Sequence, residues 1–234
     1  MARKFFVEDI KKGKIEYGSD YNHIVNVLRK KENDFINIFD NKGKDYECQI
    51  MQITKKYIEY EVTNIKENFK QNSSKISLFI SCIKPENLEL IVQKCTELNV
   101  DNIYIFSSEF SNYKPSQLKL EKLNKISIEA CKQCERSESI KIFIVNSFEE
   151  MLQKIKDFDL IVFAYERSEI SFKQIFSNQK NVAILVGPEG GFSQKEVEEI
   201  ESNDKVKEVS ISKNILRSET ASIFLCSVCT YELN

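Results

Sequence analysis

The segment Ala183-Ile-Leu-Val-Gly-Pro-Glu-Gly-Gly-Phe-Ser193 runs from an apolar stretch into a glycine-rich turn with one carboxylate, Glu189, at its tip. Glycines in such a turn let backbone N–H and C=O groups approach a ligand closely. The carboxyl end of a parallel strand is where open α/β sheets bind ligands. The turn contains no Gly-Lys-Ser/Thr and does not read Gly-x-Gly-x-x-Gly, so neither a nucleoside triphosphate nor a dinucleotide is favoured. Glu189 has no neighbouring base in sequence, which tilts the reading from a plain βα turn toward a ligand site. Ser193 and Glu196 have the spacing of a capping box, and Phe192 and Val197 that of a hydrophobic staple, so a helix opens directly after the turn. A second segment, Ile211-Ser-Lys-Asn-Ile-Leu-Arg-Ser-Glu-Thr-Ala221, joins the last strand to the last helix. It brings Arg217 and Glu219 to a strand exit, with Glu219 favourable to the helix dipole.

Composition narrows the chemistry further. The 234-residue chain has a single histidine, His23, which excludes a multi-histidine metal site and a relay of histidine acid–base groups. Only six glycines are present, and Gly187, Gly190 and Gly191 all fall in the one turn. Seven cysteines, an odd and scattered set, read as free thiols in a reducing cytoplasm. Cys131-x-x-Cys134 and Cys226-x-x-Cys229 sit in helix-patterned segments without knuckle-forming turn residues. At i and i+3 they simply share a helix face, so no metal is expected. The net charge of −2 does not announce a nucleic-acid partner. No apolar run approaches the roughly 18–20 residues of a membrane span, and the N-terminus lacks the apolar core of a signal peptide.

Elements must hold these segments in place. Residues 1–65 read as a small β-rich unit: Phe35–Phe39 alternates, 40–43 turns, and Tyr46–Ile53 and Tyr57–Ile65 follow as strands. One or two helical turns precede them between Tyr21 and Arg29. The stretch 66–75 is polar and aperiodic, a linker. From there strands at Ile76–Cys82, Asn102–Phe106, Lys141–Val145, Leu160–Ala164, Val182–Val186 and Val206–Ile211 alternate with helices at Glu86–Leu98, Ser116–Glu135, Phe148–Lys156, Gln194–Glu201 and Glu219–Leu233. Short continuous apolar strands of this kind predict an α/β domain whose mainly parallel sheet is covered on both faces, over residues 71–234.

Leu185-Val-Gly-Pro-Glu-Gly-Gly-Phe-Ser193 followed by Ile215-Leu-Arg-Ser-Glu-Thr-Ala221 resembles the RsmE family of 16S ribosomal RNA (uracil-N3)-methyltransferases in the SPOUT superfamily. Gln93–Leu98, Glu129–Gln133 with Arg136, and His23 with Val27-Leu-Arg29 look like further signatures of that family, so the likeness spans essentially the whole chain. Ile211-Ser212 stands where the family usually has Leu-Gly, Asn214 where it has Arg, and Ser108-Glu-Phe-Ser111 where it often reads Ser-Glu-Arg-Ser. The resemblance implies a PUA-like RNA-binding barrel over 1–70. Over 71–234 it implies a trefoil-knotted domain that binds S-adenosylmethionine and forms a homodimer.

By the same resemblance, S-adenosylmethionine is held near Phe163, Ala164, Leu185, Gly187, Pro188, Gly190, Gly191, Ile211, Ile215 and Leu216. Arg217 is assigned to anion stabilisation or phosphate contact, since it stays protonated; Glu189 and Glu219 are candidates for the base or for orienting the uracil. His23, Arg29, Lys30 and Arg136 are candidates for contact with 16S rRNA, or with the neighbouring subunit, in a cytoplasmic protein of the small-subunit pathway. Two alternatives stay open at this level: an enzyme of the same superfamily acting on another RNA base, and a non-catalytic RNA-binding or ribosome-assembly protein.

Overall fold

The computed structural model describes residues 4–67, 74–165, 175–176, 179–210 and 212–233. By contacts the chain divides into two compact units, one of residues 1–70 with 128–139, the other of 71–127 with 140–234.

In the larger unit six parallel strands form one sheet: β6 (Lys75–Ser81), β7 (Asn102–Phe106), β8 (Lys141–Ile144), β9 (Leu160–Ala164), β10 (Asn181–Val186) and β11 (Val206–Val209), in the order β11-β9-β10-β6-β7-β8. Side chains alternate across it, as the strand period of two demands. Leu78, Ile80, Val162, Val182 and Ile184 face one layer, while Phe79, Ile161, Phe163, Ala183 and Leu185 face the other. Helices α2 (Pro85–Glu97) and α6 (Ser218–Leu233) cover the first face through Leu88, Ile91, Leu225 and Cys226. Helices α4 (Phe148–Ile155) and α5 (Gln194–Glu201) cover the second through Met151, Ile155, Val197 and Ile200. Burial on both faces accounts for the unbroken apolar runs of β6, β9 and β10.

The smaller unit is a curled five-stranded sheet: β1 (Lys4–Phe6), β2 (Lys14–Glu16), β3 (Phe35–Phe39), β4 (Lys44–Ile53) and β5 (Tyr57–Glu67), in the order β1-β3-β4-β5-β2. Pairing is antiparallel except between β1 and β3. Register shifts at Glu47/Cys48 and Ile50/Gln52 break the β4–β5 ladder, the irregularity that bends strands around a core. That core holds Phe5, Ile24, Ile38, Ile50, Ile58 and Tyr60. A short helix, α1 (Ser19–Asn22), continues into a wider π-turn over His23–Val27.

Beyond the short strands β1 and β2, which the sequence reading does not include, the structure differs from expectation chiefly in three places. Helix α3 (Leu120–Cys134) starts four residues later than its pattern suggests, because Pro115–Gln117 make a separate 3-10 turn and Leu118 is extended. The last strand stops at Val209, and Ile211 lies outside the described residues. The end of α3 and the residues after it, 128–139, group with the smaller unit. Polar contacts explain the third: buried Lys132 bonds Asp20 at 2.9 Å and Glu129 at 2.7 Å, while Lys4 reaches Asp45, the Glu135 carbonyl at 2.7 Å and Ser137 at 3.2 Å.

Candidate active site

Several strand exits converge at the carboxyl edge of the parallel sheet. After β10 the chain turns through Gly187–Gly191, with the Gly191 N–H donating to the Pro188 carbonyl at 3.0 Å. Gly191 has φ +73°, a left-handed conformation that disfavours a side chain. Gly190 is needed for a different reason: a Cβ there would lie 3.0 Å from Cβ of Phe110, on the loop after β7. Ser193 then caps α5, and its N–H donates to the Glu196 carboxylate at 2.9 Å, completing the capping box expected from the sequence.

The second segment closes over the first. The Ser218 hydroxyl, at the start of α6, donates to the Gly187 carbonyl at 2.8 Å. Asn214 N–H donates to the Ser212 hydroxyl at 3.0 Å, folding the stretch before it. Between the segments lies a cavity of about 380 Å³. One wall is Val186, Gly187, Pro188, Gly190 and Gly191; the opposite wall is Ser212, Asn214, Ile215, Leu216, Ser218 and Ala221. Ala164 and Tyr165 close it from the β9 exit, Phe192, Ser193, Gln194 and Val197 from α5, and Phe110 and Val209 complete it. None of these described lining residues carries a charge. A site of this size and lining suits a nucleoside held through apolar contact and backbone hydrogen bonds.

Of the residues singled out from the sequence, Ala164, Gly187, Pro188, Gly190, Gly191, Ile215 and Leu216 line this cavity. Phe163 and Leu185 do not; both are fully buried in the layer beneath it, where their side chains serve packing. Ile211 lies outside the described residues. Glu189 and Arg217 are exposed beside the cavity rather than in its lining. Glu189 still acts on its surroundings. Cys82, just past the end of β6, has its thiol pushed up to about 11, chiefly by burial and further by the Glu189 charge. Glu219 is half-buried, and its Oε2 is buried with no hydrogen-bond partner among the described residues. An unsatisfied buried carboxylate oxygen costs about 1–3 kcal/mol or more, so a donor arriving with a ligand would relieve it.

His23, Arg29, Lys30 and Arg136 all belong to the smaller unit. His23 lies in the π-turn with its ring 6.0 Å from that of Phe5. Arg29 is exposed and adopts φ +54°, and Arg136 is half-buried. The two cysteine pairs separate: Cys131 and Cys134 lie on the part of α3 that joins the smaller unit, and Cys226 lies on α6 with its sulfur 3.7 Å from that of Cys95. Among the described residues no three potential ligands cluster as a metal site.

Sequence reasoning overlooked Phe110, Tyr165, Ser212, Asn214 and Ser218 as cavity residues. For Ser218 a signal was present, a serine directly before Glu-Thr-Ala at a helix start. Its hydroxyl bonds a neighbouring loop, which local sequence does not encode.

Comparison with known proteins agrees with this architecture. Residues 70–230 match a family model described as an RNA methyltransferase domain, and residues 17–63 one described as an RNA methyltransferase PUA domain. A Bacillus subtilis protein named ribosomal RNA small subunit methyltransferase E is 33% identical, with 92% of this chain and 88% of that protein covered. One of the same name from Rickettsia conorii is 32% identical, with 90% and 86% covered. The crystal structure of a ribosomal RNA small subunit methyltransferase E from Neisseria gonorrhoeae bound to S-adenosyl methionine superposes with a TM-score of 0.84 at 23% identity, over 99% of this chain and 98% of that one.

Proposed function

The chain belongs to the ribosomal RNA small subunit methyltransferase E family, and from that premise we propose that it transfers a methyl group from S-adenosylmethionine to N3 of a uridine in 16S rRNA. The observation that carries the proposal is the cavity between the Gly187–Gly191 turn and the segment before α6, whose described lining residues are uncharged. Its residues fit the cofactor: adenosine needs apolar walls, which Val186, Leu216 and Ala221 provide, and backbone groups close at hand, which the glycines allow. When bound, S-adenosylmethionine supplies an already activated methyl group on a sulfonium centre.

The protein's task is then positioning and charge management. The uridine imino nitrogen carries a proton at neutral pH and must lose it to attack. Glu189, exposed at the tip of the turn, and Glu219, with its unpartnered Oε2, are the carboxylates available to take or orient that proton. The Arg217 guanidinium stabilises the developing uracil anion or a flanking phosphate. Leu216 and Phe192 give the cavity apolar walls beside the reacting atoms.

The remaining parts of the proposal concern assembly. Residues 1–70, with His23, Arg29, Lys30 and Arg136, serve as the RNA-binding unit. A homodimer is supported by α6, a mostly apolar helix that leaves Phe224 and Tyr231 exposed as well as burying Leu225 and Cys226. A trefoil-knotted path is supported by β10 lying between β9 and β6, with the following α6 packed back on β6 and β10. No described helix is long and apolar enough to cross a membrane, and a ribosomal substrate assigns the protein to the cytoplasm.

Labelled methyl transfer to small subunits that lack the modification, with free 16S rRNA in parallel, tests the reading. Label should enter the RNA only in the presence of the protein. Calorimetric binding of S-adenosylmethionine with no label in any RNA would instead mark a non-catalytic binding protein.

A further inference from the structure

We propose that Phe110 is the platform on which the target base stacks while it is methylated, a positioning role that rests on the RNA methyltransferase reading. The loop after β7 holds its backbone firmly. Glu109 N–H donates to Oε1 of Glu196 at 2.8 Å, and Glu196 is itself buried as the capping-box partner of Ser193. Ser108 N–H donates to the Ser111 hydroxyl at 2.9 Å, and both hydroxyls meet that of buried Ser81, at 2.7 and 2.6 Å. Gly190 lies against Phe110 so closely that a Cβ there would be 3.0 Å from Cβ of the phenylalanine. Restraints of this kind would ordinarily deliver a ring into a core. Here Phe110 stays 46% exposed while lining the cavity, directly beside the residue that follows Glu189.

A rigid loop that presents an aromatic face to solvent suits a ligand that brings its own π-face. Uracil is such a ligand. An RNA base drawn out of its stack regains stacking on a protein aromatic ring, the usual way single-stranded bases are held. The described lining of the cavity is uncharged and fits the cofactor, whereas Phe110 lies at its edge beside Gly190, next to exposed Glu189, where an incoming base would arrive.

The test compares Phe110→Ala, Phe110→Leu and Phe110→Trp in the full-length protein. Methyl transfer to unmodified small subunits is followed over a range of RNA concentration, and S-adenosylmethionine affinity by calorimetry. Loss of the stacking face in the Ala and Leu variants should lower kcat/KM for RNA by about 10- to 100-fold, with Trp close to wild type. Phe110 touches the cavity at its edge, so cofactor affinity should change by no more than about 3-fold in all three, far less than kcat/KM for RNA. The leucine variant guards against simple loss of packing: wild-type activity in Phe110→Leu overturns the proposal, as does unaltered activity in Phe110→Ala. A parallel loss of cofactor affinity also overturns it, by making Phe110 a wall of the cofactor site. If the wild-type protein methylates a base other than uracil yet shows the same dependence on an aromatic at 110, the stacking role stands and the uridine assignment falls. If it methylates no RNA, both fall.

Discussion

Arg217 and Glu219 flank Ser218, the residue whose hydroxyl holds the start of α6 to the Gly187 carbonyl. This places the proposed reactive groups on either side of a fixed point, and their roles separate by measurement. Arg217→Ala should reduce turnover by roughly 100-fold or more, on the scale of losing one transition-state donor. Its effect on S-adenosylmethionine affinity should be small, because Arg217 does not line the cavity. Equal losses of turnover and affinity would make Arg217 part of the cofactor wall. The thiols yield a second residue-scale expectation. Burial pushes Cys48 and Cys131 up to about 12 and Cys82 up to about 11, so these are inert as nucleophiles near neutrality. Alkylation of the native protein should mark Cys134, the one cysteine that is not buried, well before the others; rapid labelling of Cys82 would show that the β6 exit opens. Residue types singled out the glycine turn as a ligand loop, and the family resemblance added Ile215 and Leu216, which line the cavity. They could not separate Leu185 and Phe163, whose side chains point into the core, from Ala164 and Val186, whose neighbours open onto the cavity.

Each loop of the site depends on the element that starts or ends it. Asp159, just before β9, accepts backbone N–H bonds from Lys180 and Asn181 at 2.9 and 2.8 Å and so ties the start of β10 to its neighbour. Those two bonds hold its carboxyl below the ordinary range. A carboxylate with a lowered folded-state pKa stabilises the fold above its unfolded value, and that contribution disappears as pH falls through the folded one. The stability gap between wild type and Asp159→Asn should therefore be full near neutrality and narrow in acid, below the normal Asp range of about 4. A gap independent of pH in denaturant titrations would contradict the assignment. At the other end of β10, the turn and the α5 capping box were legible from local spacing, because caps and staples act within a few residues. The late start of α3 was less so, since Pro115 fits the first turn of a helix as well as a 3-10 turn. Short strands β1 and β2, three residues each, carry too little pattern to be read without their partners.

At the scale of the molecule, a net charge of −2 has to coexist with an RNA substrate. Local basic side chains must then do the binding, and the candidates Arg29, Lys30 and Arg136, with His23, fall in the one unit despite the distance in sequence between Lys30 and Arg136. What assembles that unit is the return of 128–139 to it, through Lys132 with Asp20 and Lys4 with Glu135 and Ser137. Such pairings between residues about a hundred positions apart leave no periodic trace, which is why a linear boundary near residue 70 was the natural reading of the sequence. Phosphate contacts made by this unit would release counterions, so RNA affinity should fall steeply as salt rises; an affinity indifferent to salt would remove the basic candidates from the interface. The central claim, that the cavity and its flanking carboxylates deliver a methyl group to a uracil ring nitrogen, is tested most directly by identifying the modified nucleoside. Small-subunit RNA methylated by the protein, digested and resolved by mass spectrometry, should contain N3-methyluridine as the new species. A methyl group found on another base, or on a ribose oxygen, would contradict it.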